Sequence, residues 1–128
     1  MSNETFQSVI LAVDDDPLIL DTVAKFLTSK ELRVVTTTDP EKVVEMALKE
    51  KPRLILSDIA MPGIDGLTLL KLLKQNVETR NIPLILLTSS QAMEDIEEGL
   101  NTGAEAYLVK PIDWTTSWPK IQAVLLRS

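Results

Sequence analysis

The chain has 128 residues, of which 45% are hydrophobic and 25% charged, enough for one compact domain with a hydrophobic core. Its net charge of −6 argues against binding nucleic acid, because backbone phosphates need clustered Lys and Arg. It contains neither cysteine nor histidine, which excludes disulfides, thiolate sites, imidazole acid–base catalysis and histidine metal ligation. Any chemistry must therefore use carboxylates, hydroxyls and lysine, and oxygen ligands favour Mg²⁺, Mn²⁺ or Ca²⁺ over Zn²⁺.

The sequence contains no targeting or membrane signal. No apolar run approaches the roughly 18 residues of a membrane span. The first ten residues lack the basic and then apolar order of a signal peptide. We therefore expect a cytoplasmic protein that does not contact a membrane. Residues 1–128 contain no evident linker or repeat, and they are predicted to form a single domain with its core at about 8–126.

Short segments rich in Val, Ile and Leu alternate along the chain with segments whose apolar residues recur at helical spacing. The first kind predicts strands at 8–14, 32–38, 53–58, 82–89 and 106–110. The second predicts helices at 17–30, 39–50, 66–76, 91–103 and 113–127. Asp16 before Pro17, and Asp39 before Pro40, are typical of a cap followed by a first helical residue. Asp65 is expected to cap the third helix in the same way.

Five strands alternating with five helices predict an α/β fold: a single doubly wound (βα)5 flavodoxin-like domain around a parallel sheet. The apolar runs at 9–13, 54–56 and 84–87 fit strands covered on both faces. The order 2-1-3-4-5 places these three strands in the middle. Arg33 in the second strand fits an edge position.

Polar side chains stand at the carboxyl ends of the predicted strands, where open α/β sheets bind their ligands. The first strand ends in Asp14, Asp15 and Asp16, and the third ends in Asp58. The fourth ends in Thr88 and the fifth in Lys110, which Pro111 follows. Since the first and third strands are neighbours in this order, their carboxylates are expected to share one pocket.

Such a cluster of carboxylates needs a cation. At about 4 Å and an effective dielectric near 20, each like-charged pair costs roughly 4 kcal/mol. Oxygen ligands around a hard ion describe a Mg²⁺ site, with Mn²⁺ as a second possibility. A metal, a lysine and a hydroxyl together suit a phosphoryl group, and a carboxylate can itself accept that group as an aspartyl phosphate.

Four motifs, in order and in spacing, resemble those of the response-regulator receiver domain, the CheY-like phospho-acceptor module of two-component signalling. "ILAVDDDP" resembles the acidic motif of its first strand, and "LILSDIAMPGIDGL" resembles its phospho-acceptor strand and loop. "PLILLTS" contains the hydroxyl residue of the family, and "GAEAYLVKP" resembles its Lys-Pro motif. The resemblance covers roughly residues 8 to 126.

This resemblance implies a role for each matching residue. Asp58 is the phospho-acceptor. Asp15, Asp58 and the backbone carbonyl of Ala60 bind Mg²⁺, and Asp14 acts largely through water. Thr88 and Lys110 contact phosphoryl oxygens. Tyr107 is the switch aromatic that turns inward when Thr88 moves, and Pro111 follows a cis peptide bond.

The resemblance also implies partners. The phosphoryl donor is a phosphohistidine on a histidine kinase or a histidine phosphotransfer protein. Phosphorylation switches the surface of helix 4, strand 5 and helix 5, which then controls a target protein, an output domain or a homodimer. The chain is thus expected to be a signalling module and not an enzyme, with at most self-phosphotransfer and autodephosphorylation.

Two other functions compete with this interpretation. Asp14-x-Asp16 has the spacing of haloacid-dehalogenase-type phosphatases, which also use a strand-end hydroxyl and a lysine. Those enzymes need a further acidic ligand after the lysine, where this chain offers Asp113, and they leave Asp58 without a role. The third possibility is a receiver-like interaction domain that no longer accepts phosphate.

The last helix leaves two questions open. Trp114 and Trp118 are four residues apart and share a helix face, either packed on the sheet or exposed as an anchor for a partner. Pro119 is expected either to kink this helix or to delay its start to about Ser117.

Overall fold

The computed structural model describes residues 8–89 and 93–127, which form five strands and five α-helices. The strands are β1 (Val9–Val13), β2 (Arg33–Thr37), β3 (Leu54–Asp58), β4 (Leu84–Thr88) and β5 (Ala106–Val109). The helices are α1 (Pro17–Thr28), α2 (Val43–Glu50), α3 (Gly66–Gln75), α4 (Met93–Thr102) and α5 (Trp114–Arg127).

The five strands form one parallel sheet in the order β2-β1-β3-β4-β5, which confirms the predicted doubly wound α/β fold. Every residue of β3 and β4 is buried, as expected for central strands covered on both faces. β2 lies at one edge, and its Arg33 is exposed as predicted. β5 forms the other edge.

Two hydrophobic clusters cover the faces of this sheet. On one face, Val43 and Ala47 of α2 and four leucines of α3 pack against the sheet. α4 also lies on this face, since a Cβ on Gly99 would come within 2.3 Å of the Leu86 side chain. On the other face, the apolar stripes of α1 and α5 pack against Ile10, Leu56 and Ile85. Both faces of the sheet are therefore covered by helices, and the carboxyl ends of its strands remain available for a site.

The helix starts follow their predicted caps with one exception. The side chains of Asp16 and Asp65 accept hydrogen bonds from the backbone of Leu18 and Thr68, at 2.9 and 2.8 Å. Asp39 caps a 3₁₀ turn (Pro40–Lys42), and α2 proper begins only at Val43. The predicted start of the fourth helix at 91 lies outside the described residues.

Pro119 does not delay the last helix, so of the two alternatives the start near Ser117 is wrong, and the helix begins within one residue of the predicted 113. α5 begins at Trp114 because Asp113 caps it: its carboxylate accepts from Thr115 N at 2.9 Å, and its carbonyl accepts from Ser117 N, also at 2.9 Å. Pro119 has no N–H to give to the carbonyl four residues earlier, and this capped first turn holds the helix together across that gap.

The two tryptophans pack within the molecule. The Trp114 ring stacks on Phe26 of α1, with centroids 4.1 Å apart and planes 6° apart. Trp118 meets the same ring edge-on at 5.8 Å. Both indoles are partly buried against the cluster between α1 and α5. Of the two alternatives, packing therefore accounts for them.

None of the helices in the described part of the chain combines the length and the hydrophobicity that crossing a bilayer requires.

Candidate functional site: an acidic pocket closed by lysine

Three carboxylates meet at the carboxyl ends of β1 and β3, as the strand order predicts. β1 and β3 are neighbours, with Val13 in register with Ser57. Asp14 and Asp15 follow β1 directly, and Asp58 is the last residue of β3. One carboxylate oxygen of each of these residues lies within 4.8 Å of the other two. Asp14 is fully buried, Asp58 is 5% exposed, and Asp15 faces solvent. The cluster is therefore anchored by two buried acids and opens through the third.

Lys110 closes the pocket from the end of β5. Its Nζ lies 2.6 Å from Asp14 Oδ2 and 3.2 Å from Asp58 Oδ1. The Lys110 backbone N–H also donates to the carbonyl of Thr88 at 2.7 Å. The Lys110–Pro111 peptide bond is cis, as the resemblance implied. Because an ionised carboxylate is costly to bury alone, this ammonium is what makes two buried acids tolerable here.

The surroundings of Asp58 make this carboxyl group harder to ionise than an exposed aspartate, because they raise its pKa. Burial, with the neighbouring charge of Asp14, raises the pKa of Asp58 from 3.8 to about 6, although Lys110 opposes the shift. Burial lowers the pKa of Lys110, but its hydrogen bond to Asp14 and the charge of Asp58 outweigh this and raise it. One lysine therefore does not balance the negative charge of the three carboxylates, and a further positive charge would stabilise the pocket.

Gly66 brings helix α3 against the backbone of Asp58, a feature that the sequence reasoning missed. A Cβ on Gly66 would lie 2.2 Å from the Asp58 carbonyl oxygen and 2.9 Å from Ile59 Cα. The Gly66 N–H donates to the Ile59 carbonyl at 2.7 Å. The signal was a glycine directly after the helix cap Asp65, where a better helix former is usual. Gly66 therefore fixes the main chain that presents Asp58.

Thr88 and Tyr107 stand on the two neighbouring strands β4 and β5. Thr88 ends β4 and is 3% exposed. Tyr107 is in register with Leu86, two residues before Thr88, so Thr88 and Tyr107 point to the same face of the sheet. The Tyr107 ring is half-buried against the cluster on that face. Ala60 lies in the exposed part of the loop after β3.

Two further acids that the phosphatase alternative needs serve as helix caps. Asp16 caps α1 and Asp113 caps α5, each with its carboxylate on a backbone N–H. Both side chains are exposed, and neither belongs to the acidic cluster found among the described residues. Asp58, for which that alternative has no role, is a buried member of the cluster. The arrangement therefore disfavours the phosphatase.

The donor set fits a hard divalent cation. Three carboxylates within reach of one another, one of them open to solvent, match the oxygen ligands that Mg²⁺ and similar ions prefer. The pocket has more carboxylates than its single lysine can neutralise, and this charge imbalance also favours a bound cation.

Comparison with known proteins agrees with this geometry. The family model described as "Response regulator receiver domain" matches residues 10–118. Protein PilH of Pseudomonas aeruginosa is 35% identical over 116 residues, which cover 91% of this chain and 96% of PilH. Response regulator PleD of Caulobacter vibrioides is 35% identical over 115 residues, which cover 90% of this chain and 25% of PleD. The phosphate regulon transcriptional regulatory protein PhoB of Klebsiella pneumoniae is 36% identical over 118 residues, 92% of this chain and 52% of PhoB.

Solved structures show the same fold. The chemotaxis protein CheY4 of Vibrio cholerae superposes with a TM-score of 0.86 at 30% identity, covering 92% of this chain and 98% of CheY4. The chain thus spans a quarter to about half the length of PleD and PhoB, and nearly the whole of PilH and CheY4. With its five-stranded order, its acidic cluster and its Lys-Pro motif, the chain belongs to the response-regulator receiver domain family, the signalling modules of two-component systems.

Proposed function

We propose that this receiver domain accepts a phosphoryl group on Asp58 and passes the signal through the surface formed by α4, β5 and α5. The observation that carries the proposal is the position of Asp58: a nearly buried carboxylate that shares one ammonium with Asp14 and adjoins the open Asp15. This arrangement places a nucleophile beside groups that can neutralise a phosphoryl charge.

The transfer is a displacement at phosphorus. An Oδ of Asp58 forms the new O–P bond while the bond from phosphorus to the donor breaks. The electron pair of the broken bond leaves with the imidazole of a phosphohistidine, or with acetate when the donor is acetyl phosphate. Lys110 can follow the added charge, since it already contacts Asp58. Thr88, which ends the neighbouring strand, offers its hydroxyl to a phosphoryl oxygen.

Asp15, Asp58 and the Ala60 carbonyl would hold a Mg²⁺ ion, with Asp14 acting through water. When bound, this cation supplies charge stabilisation for the transferring phosphoryl oxygens. Mn²⁺ is the expected substitute.

The proposed signal is a change of packing. The aspartyl phosphate adds about −1.5 to −2 charges. Thr88 is drawn toward them, and Tyr107 moves inward on the same face of the sheet. The two packings exist in equilibrium, and phosphorylation shifts their populations.

The partners follow from this role. The donor is a histidine kinase or a histidine phosphotransfer protein, and the reader is a target protein, an output domain or a second copy of the chain. In this proposal the chain is no enzyme beyond its own phosphotransfer and autodephosphorylation. One domain at 1–128 and a cytoplasmic location remain predictions.

Intact mass after incubation with acetyl phosphate and Mg²⁺ tests the acceptor. We expect a labile gain of one phosphoryl group in the wild type. The gain should be absent in Asp58→Asn and in the presence of a chelator. Asp65→Asn is the matched control, because this exposed cap lies in the next loop and asparagine also caps helices.

Two results would contradict the proposal. Phosphate on Asp14 in place of Asp58 would favour the phosphatase. No gain in the wild type, with beryllofluoride also failing to bind, would indicate a binding module that works without phosphorylation.

A further inference from the structure

Lys120 contacts Tyr107 in two ways. The Lys120 Nζ lies 5.1 Å from the centroid of the Tyr107 ring, within the range of a cation–π interaction. The same atom donates a hydrogen bond to the Tyr107 carbonyl oxygen at 3.4 Å. One ammonium therefore holds both the ring and the backbone of this residue.

These contacts cross the edge of the sheet. The Tyr107 ring packs on the face covered by α2, α3 and α4, whereas Ile121 and Val124 of α5 pack on the opposite face. β5 is an edge strand, so the Lys120 side chain reaches from α5 around that edge to the ring. It is a direct contact between helix α5 and the residue proposed to move.

The position of the two groups gives the contact a direction. Lys120 is exposed and the Tyr107 ring is half-buried. If the ring becomes fully buried against the face of the sheet, it moves away from the Lys120 ammonium, which stays in solvent. The contact thus favours the half-buried position and opposes the inward one.

We propose that Lys120 is a positioning residue that restrains Tyr107 in its half-buried position and so sets how readily the domain reaches its switched packing. The inference rests on the proposed function, in which Tyr107 moves inward. An exposed cation–π contact is weak, so removing it should favour the switched packing by about two- to fivefold.

A purely structural role is the competing explanation. Lysine often protects the free edge of a sheet from pairing with other strands. In that case the loss of Lys120 would change stability or association, and the site at Asp58 would not respond.

Tyr107 is the single tyrosine of the chain, so 3-fluorotyrosine places one fluorine in the protein, on the residue in question. We would record its ¹⁹F NMR signal with Mg²⁺ alone and during titration with beryllofluoride. The variants are Lys120→Met, which removes the charge, and Lys120→Arg, which keeps a cation over the ring. Lys30→Met is the matched control, because Lys30 lies over Phe26 and Trp118 on the opposite face.

We expect beryllofluoride to shift the fluorine signal of the wild type. Before any addition, the Lys120→Met signal should already be displaced toward that shifted position, and this variant should bind beryllofluoride about two- to fivefold more tightly. Lys120→Arg and Lys30→Met should match the wild type.

Each other result overturns the inference in a recognisable way. If beryllofluoride shifts the wild-type signal, and Lys120→Met has the same signal and the same affinity as the wild type, Lys120 has no restraining role. The proposed function is then unaffected. A lower melting temperature of Lys120→Met without a change in signal or affinity assigns Lys120 to edge protection alone. If the wild-type fluorine signal does not change when beryllofluoride binds, Tyr107 is not the switch residue. The proposed restraint by Lys120 is then wrong as well.

Discussion

Asp58 is a residue whose ionisation opposes folding. Its pKa is raised from 3.8 to about 6, so the folded protein binds this proton more tightly than the unfolded chain does. Stability is therefore fully retained below about pH 4 as far as Asp58 is concerned, and it is lost as the pH rises to about 6. The site is thus less stable in the ionised form that it needs for phosphotransfer.

Asp58→Asn should remove this cost. In a chelating buffer at pH 7 we expect the variant to be more stable than the wild type by on the order of 1–3 kcal/mol, since one pKa unit corresponds to about 1.4 kcal/mol. The difference should shrink toward zero near pH 4, where the wild-type side chain is protonated. Urea unfolding at several pH values measures it, with the exposed Asp16→Asn as control. A gain that is the same at pH 4 and pH 7 would contradict the assignment.

Lys110→Met should have the opposite effect. It leaves the fully buried Asp14 without the ammonium at 2.6 Å, and breaking a buried ion pair in this way costs about 3–5 kcal/mol. Lys25→Met is the control, since it breaks an exposed pair with Asp21 that contributes roughly 0.2–0.5 kcal/mol. Urea unfolding compares the stability of both variants with that of the wild type. Added Mg²⁺ should reduce the difference from the wild type for Lys110→Met and leave it unchanged for Lys25→Met. Equal losses would show that Lys110 does not compensate the buried acids.

At the scale of elements, α5 retains an unfavourable residue in its interior. Pro119 is exposed within the helix and lacks the N–H that the preceding turn needs. Pro119→Ala should therefore stabilise the protein, by up to about 3 kcal/mol. Pro17→Ala is the matched control: Pro17 is the first residue of α1, where the missing N–H costs nothing, and its loss should be neutral or slightly destabilising. Thermal unfolding of both variants decides, and similar shifts would refute the argument.

The elements show where sequence reasoning succeeds. The strand order and the meeting of Asp14, Asp15, Asp58 and Lys110 follow from periodicity and from the rule for strand ends. Of the two effects expected of Pro119, the delayed start of α5 near Ser117 was wrong, because the capping strength of Asp113 could not be weighed against Pro119 without the three-dimensional turn.

Two other contacts between distant segments were not predicted from the sequence. The approach of Gly66 to the Asp58 carbonyl depends on where α3 docks. The reach of Lys120 to Tyr107 depends on β5 being an edge strand with α5 on its far face. Periodicity describes one element at a time and gives no distance between side chains of two elements.

For the whole molecule, the net charge of −6 and the acidic cluster predict two different responses to salt. Any salt should screen the general repulsion, whereas a cation bound at the cluster stabilises the folded state further by mass action. We expect a higher melting temperature in MgCl₂ than in NaCl of equal ionic strength. Asp15→Asn should lose the extra gain, because Asp15 is the solvent-facing member of the cluster. Equal melting temperatures of the wild type in both salts would argue against a metal site.

The sheet also separates the two kinds of ultraviolet chromophore. The single tyrosine packs on the face of α2, α3 and α4, whereas both tryptophans pack with Phe26 on the face of α1 and α5. Tryptophan emission from the unlabelled protein therefore follows the seam between the first and last helices. Tyrosine absorbance follows the opposite face beside β5. Optical spectroscopy can thus tell a disturbance on one side of this domain from a disturbance on the other, without introducing a dye.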